Sequence, residues 1–134
     1  MRARGWHLTE KHLSLPDRHG RELDASGSLV DFGLYFLHNA QTLIETGRGP
    51  YFYIAKLESS EEAKLWDDVF TFAERYVGIP HGTIRATVPI ATLPPALAPE
   101  ETLHALRAHC SGLTARPRGH ILPALPAHPR PRPL

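Results

Sequence analysis

The chain has 134 residues, 42% of them apolar and 22% charged, with a formal net charge of +1, as expected for one ordinary water-soluble domain. No apolar run approaches the roughly 20 residues of a membrane span, and the first residues hold no signal-peptide core. A single cysteine, Cys110, excludes an internal disulfide framework and makes a reducing cytoplasm the expected location.

The charge is uneven. After Glu101 there are five arginines and no acid, so the body is mildly acidic and the end basic. Basic tails can serve nucleic acids, but no aromatic residue interleaves this one to stack on bases, and no nucleic-acid partner is expected.

Residues 1–25 are polar and punctuated by Gly5, Pro16 and Gly20, a pattern that reads as loop or short irregular structure. Over residues 28–46, Phe32, Phe36, Ala40, Leu43 and Ile44 recur at helical spacing, with Ser28 or Asp31 as candidate cap and Gly47 as stop. His38 and Asn39 on this helix read as a polar face or a satisfied core histidine. Gly47 to Pro50 breaks the helix, and residues 51–55 predict a short strand. Lys56 and Glu58 follow, either as ordinary loop charges or, in an α/β fold, at the mouth of a site. Ser59 or Ser60 then caps a helix whose apolar stripe is Trp66, Val69, Phe70, Ala73, Tyr76 and Val77.

Gly78 and Pro80 stop that helix, and residues 83–90 are apolar and β-branched enough for a strand covered on both faces. Chemistry in α/β folds gathers at the carboxyl ends of strands; here that position is Ala91, which has none to offer. A third helix is expected from about Glu100 to Cys110. Two strand–helix units with short connections give an α/β fold with a parallel sheet. After Leu113 the expected next strand dissolves into Pro, Arg, Ala and His, and residues 114–134 are expected to be a disordered tail with no domain.

Generic motifs assign no chemistry. His7 and His12 are five apart, as are His104 and His109, where a zincin helix needs a spacing of four. There is no phosphate-cradling loop, nucleophile elbow or cysteine pair. Cys110 reads as a small buried residue rather than a reactive thiol.

Several blocks nevertheless stand in register: Arg2-Ala3-Arg4-Gly5-Trp6-His7-Leu8, Asp31-Phe32-Gly33-Leu34-Tyr35-Phe36, Gly49-Pro50-Tyr51-Phe52-Tyr53, Leu65-Trp66-Asp67-Asp68 and Gly82-Thr83-Ile84-Arg85-Ala86-Thr87. From Arg2 to about Leu113 the chain resembles malate synthase. The resemblance implies a partial (β/α)8 TIM barrel over residues 1–113, and a complete barrel takes about 250 residues. It also implies the family's reaction, in which acetyl-CoA and glyoxylate are joined and hydrolysed to malate and CoA with magnesium.

By the same resemblance the catalytic arginine that steadies the enolate is Arg2. One magnesium ligand is a glutamate in an Ile-Glu-Thr pattern, where this chain reads Ile90-Ala91-Thr92, and the second is an aspartate whose position falls on Gly119. Neither alanine nor glycine has an oxygen to offer a hard cation, so no magnesium is expected to bind. The catalytic aspartate of the family lies beyond residue 134. The isolated chain is therefore expected to be inactive, with exposed barrel edges that favour self-association. The alternative is a non-catalytic interaction protein derived from a barrel fragment. A reading-frame slip in a GC-rich gene would account for the tail but not for Ala91.

Overall fold

The computed structural model describes residues 1–90 and 99–115. A hairpin of β1 (Thr9–Pro16) and β2 (Glu22–Ser26) precedes helix α1 (Gly27–Glu45). Strand β3 (Tyr51–Tyr53), helix α2 (Ser60–Val77), strand β4 (Arg85–Ile90), helix α3 (Pro99–Ala105) and strand β5 (Cys110–Ala115) follow.

β3, β4 and β5 pair in chain order and in parallel, with Phe52 opposite Ala86 and Val88 opposite Leu113. Arg2 adds a parallel bridge to Tyr53, and Tyr53 N donates to the Met1 carbonyl at 2.8 Å, so a fourth extended segment lies beside β3. Parallel neighbours joined through helices follow the winding of a (β/α)8 barrel. The three-stranded sheet is open.

Local chemistry explains the helix ends. The Ser59 hydroxyl accepts from Glu62 N at 3.2 Å, Glu61 and Glu62 occupy the first turn of α2, and Gly78 closes it at φ 79°. That left-handed angle is where glycine is least strained. Neither expected cap of α1 acts as one: the N-cap is Ser26, whose hydroxyl meets the Ser28 hydroxyl at 3.0 Å rather than a helix amide, and Asp31 instead binds Arg4. Thr46 and Gly47 (φ 71°) end α1.

Both helices close on one face of the sheet. Phe32 of α1 meets Phe36, Phe52, Trp66 and Phe70 at centroid separations of 5.0 to 5.9 Å. Each of these buried rings contributes about 1.5–3 kcal/mol of transfer free energy. Below them Ile54, Ile84, Ala86 and Val88 complete the core.

Several expectations need correction. Residues 1–25 are not loop: they hold β1 and most of β2, whose turn is tied by Asp17 accepting from His19 N and Arg21 N. Most of the hairpin is exposed, so the inside–outside alternation that signals a strand never arises. β4 is covered unevenly: Ile84, Ala86 and Val88 are buried against the helices, while on the other face Arg85 is exposed, Thr87 half-buried and Pro89 buried. The third helix ends at Ala105, short of Cys110: residues 106–109 go on as turns, in which the His109 and Cys110 amides bond the Leu106 carbonyl. Cys110 is half-buried at the start of β5, and that strand runs two residues beyond Leu113. Its pairing with β4 supplies what its weak β-propensity does not. Ala91, Gly119 and the tail beyond Ala115 lie outside the described residues.

Candidate functional site

The carboxyl end of β3 is where barrel chemistry is expected, and Arg2 stands there. Its guanidinium carbon lies 5.5 Å from the centre of the Tyr53 ring, an orientation in which the aromatic face attracts the cation. Among the described residues Arg2 forms no ion pair, and it meets the Tyr53 ring and bridges to the Tyr53 backbone. A cavity of about 270 Å³ lies here, lined by Arg2, Arg4, Gly5, His7, Ala55 and Lys56.

Arg4 anchors the segment that carries Arg2. Its guanidinium donates to both Asp31 oxygens at 2.9 Å and to Glu10 at 2.8 Å, while its backbone amide donates to Asp31 at 3.0 Å. This two-pronged arrangement fixes direction as well as distance. Gly27 permits it, because a Cβ there would sit 3.0 Å from the Arg4 guanidinium carbon. The hydrogen bond from the His12 ring, followed by that from Arg4, lowers the Glu10 carboxyl to about 2. Arg4 likewise holds Asp31 below the usual carboxylate range.

Lys56, at φ 50°, adopts the left-handed conformation, uncommon for a residue with a Cβ and frequent near functional sites. Its Nζ is 3.3 Å from His7 Nε2, so Lys56 belongs to this mouth. Glu58 lies at its rim: its amide donates to Glu62 Oε2 at 2.8 Å, and Glu58 shares a second cavity, also of about 270 Å³, with Trp6, His7 and Lys56. Gly5 lets the His7 ring fold back, since a Cβ there would meet that ring at 2.8 Å.

The paired histidines separate. His7 faces Lys56, His12 faces Glu10, and His104 Nε2 lies 2.9 Å from Arg107. His109 is fully buried between Asp67 and Glu74 at 2.8 and 3.2 Å. His81 Nδ1 approaches the same Glu74 oxygen at 3.2 Å. This Glu74, His81 and His109 group lies at the amino ends of β4 and β5, opposite Arg2. Sequence reasoning missed it because its members come from a helix end and two separate turns. It missed Arg4 for a related reason, since nothing local marks a partner 27 residues away.

The model of the malate synthase TIM barrel domain matches residues 1–119. The chain belongs to the malate synthase family. A Streptomyces arenae malate synthase is 52% identical over 130 residues, 97% of this chain and 23% of the relative. A Streptomyces clavuligerus malate synthase is 57% identical over 115 residues, 86% of this chain and 20% of the relative. Malate synthase A of Escherichia coli is 49% identical over 112 residues, 84% of this chain and 20% of the relative. The chain thus spans about a fifth of the length of the curated relatives it matches. A match of 130 residues runs past Leu113, so the likeness to the S. arenae relative enters the proline-rich segment.

Proposed function

We propose that this chain is a segment of malate synthase that keeps the enolate-steadying arginine, Arg2, but by itself binds no magnesium and does not turn over. The observation that carries the reading is the residue set at the matched positions. Arg2 is present beside the end of β3 with its charge uncompensated among the described residues, whereas the two carboxylate positions read Ala91 and Gly119. A hard divalent cation needs oxygen ligands in near-octahedral array, and these two side chains supply none. The residues present do not fit the metal, and no step is derived through it.

The family's reaction takes acetyl-CoA, glyoxylate and water to malate and CoA. In that chemistry Arg2 would place a fixed positive charge against the thioester oxygen as it becomes an enolate, the point where charge develops. Arg4, bound to Asp31 and Glu10, would act as a positioning residue by fixing the direction of the segment that bears Arg2. The barrel segment proposed for residues 1–113 is carried to Ala115 by β5. Among the described residues no helix is long and apolar enough to cross a membrane, and a cytoplasmic location is proposed with the fold.

Thiol release tests this reading. The purified chain, given acetyl-CoA, glyoxylate and magnesium, is expected to release no CoA above a protein-free blank; a signal that requires both glyoxylate and magnesium would overturn the proposal. Turnover restored by a fragment that supplies the missing carboxylates would support descent with divided function.

A second reading, a non-catalytic interaction protein, is favoured by the groove of about 550 Å³ between α1 and α2. Phe72 and Tyr76 beside it are 68% and 72% exposed, and apolar surface of this kind marks contact sites. Self-association through this face or the open sheet edges would appear as a concentration-dependent mass in sedimentation. A pull-down against a full-length relative, with turnover measured in the recovered complex, separates the readings, since only the first predicts restored activity.

A further inference from the structure

We propose that Glu74, His81 and His109 form a binding site for a transition-metal ion of the zinc class, a structural staple at the amino ends of β4 and β5. This inference does not rest on the catalytic reading above, and its site lies at the opposite end of the strands from Arg2.

Hydrogen-bond arithmetic comes first. Glu74 is 2% exposed and His109 fully buried. Asp67 Oδ1 lies 2.8 Å from His109 Nδ1, and an ionised carboxylate can only accept, so Nδ1 carries the hydrogen. Nε2 lies 3.2 Å from Glu74 Oε2, and an acceptor oxygen meets that nitrogen favourably only through a bridging proton or a metal ion held between them. A carboxylate that orients a histidine so that its far nitrogen meets a metal is a recurrent arrangement around bound zinc.

The Glu74 carboxylate has room for one such ligand bond. Its Oε1 accepts from Ile84 N at 2.7 Å and its Oε2 from Gly82 N at 2.9 Å, which leaves one lone pair of Oε2 for the two imidazoles that both approach it at 3.2 Å. An ion bound to all three groups satisfies them together where hydrogen bonds cannot. The three donor atoms lie within 4.8 Å of one another; tetrahedral zinc with bonds of about 2.0–2.1 Å separates its ligands by roughly 3.3 Å. Both contacts to Glu74 already have that spacing. His81, on a turn and 60% exposed, supplies the movement that closes the remaining side, and its open flank leaves a fourth position for water.

Two nitrogens and one carboxylate oxygen suit zinc, cobalt or nickel rather than magnesium, which prefers oxygen alone. The amino-end face of a barrel serves stability rather than chemistry. The ion would join the last turn of α2 to the turns entering β4 and β5, linking groups 35 residues apart in sequence.

The test uses the untagged 134-residue chain, stripped with chelator and dialysed against cobalt. One cobalt per chain is expected, with the intense visible absorption of a tetrahedral site, displaced by zinc and unaffected by excess magnesium. H81A removes an exposed ligand without disturbing the core and should weaken cobalt binding at least tenfold with an unchanged circular-dichroism spectrum. D67N, which withdraws the orienting carboxylate, should weaken binding about 10–100-fold. Cobalt affinity equal in wild type and H81A overturns the proposal, as does the absence of a tetrahedral spectrum, and the cluster is then a proton-bridged ion network.

Discussion

At the amino ends of the strands, the Glu74 carboxylate takes hydrogen bonds from the Gly82 and Ile84 amides and faces His81 and His109, and Asp67 braces His109 from the other side. At the carboxyl ends, Arg2 rests on the Tyr53 ring, and Lys56 and His7 share a cavity with it that no carboxylate among the described residues lines. The first region turns its polar groups on one another in the interior; the second leaves cations facing outward. Folding demands the first, because buried polar atoms without partners cost stability. The second is what a ligand-binding surface looks like, with its charge supported from behind by Arg4, Asp31 and Glu10. A barrel divides its two faces in the same way, stability below and chemistry above.

The largest effect should come from the closed region. Replacing Glu74 with alanine strands the Ile84 and Gly82 amides and leaves His109 beside an empty volume. Breaking a buried network from one side costs about 3–5 kcal/mol, much of the roughly 5–15 kcal/mol that holds a domain folded. Urea denaturation should show a midpoint lowered by that amount at constant slope. A loss below about 1 kcal/mol would mean that the amino-end cluster is not what holds the two turns, and the contrast between the regions would collapse.

A smaller effect sharpens the comparison from the other end. Ser59 caps α2 at the carboxyl-end face by accepting from Glu62 N. Ser59→Ala should cost about 1 kcal/mol, as N-cap losses do. It should also loosen the turn that carries Lys56 and Glu58, which amide hydrogen exchange would detect there before it reached β4. Equal loosening at both ends would show that they are not separable.

The frame of the molecule was legible because its signals are local. The stripe from Trp66 to Val77, apart from the exposed Tyr76, the stop at Gly78 and the apolar run of β4 each follow from spacing or from one residue's conformational freedom. The hairpin was not legible because water bathes most of it, and β5 was not because Cys110-Ser-Gly-Leu-Thr-Ala gains its extended form from β4 rather than from propensity. The amino-end cluster joins Glu74 to residues 7 and 35 positions away. No sequence window contains it, and the histidine pairs that do stand close in sequence fall apart in space.

The smallest effect tests whether the support behind Arg2 is electrostatic. The Glu10 carboxyl is lowered from 4.5 to about 2, first by the His12 ring at 2.8 Å and then by Arg4 at 2.8 Å. A group whose folded value is depressed adds stability that is complete above its unfolded value and lost as the pH falls through the folded one. For Glu10 the window runs from about 4.5 down to about 2, and the lowering of Asp31 acts in the same direction. Hydrogen exchange of residues 2–10 should therefore accelerate across that window beyond its intrinsic pH trend, while α2 stays protected. In Arg4→Ala both carboxyls should titrate nearer their ordinary values, and the acceleration should shift to higher pH. Because Glu10 is reached by solvent, added salt should shrink the effect as well. A Glu10 carboxyl that titrates near 4.5 in the intact chain, followed by carbon-detected NMR, would show that shape rather than charge holds the Arg2 segment in place.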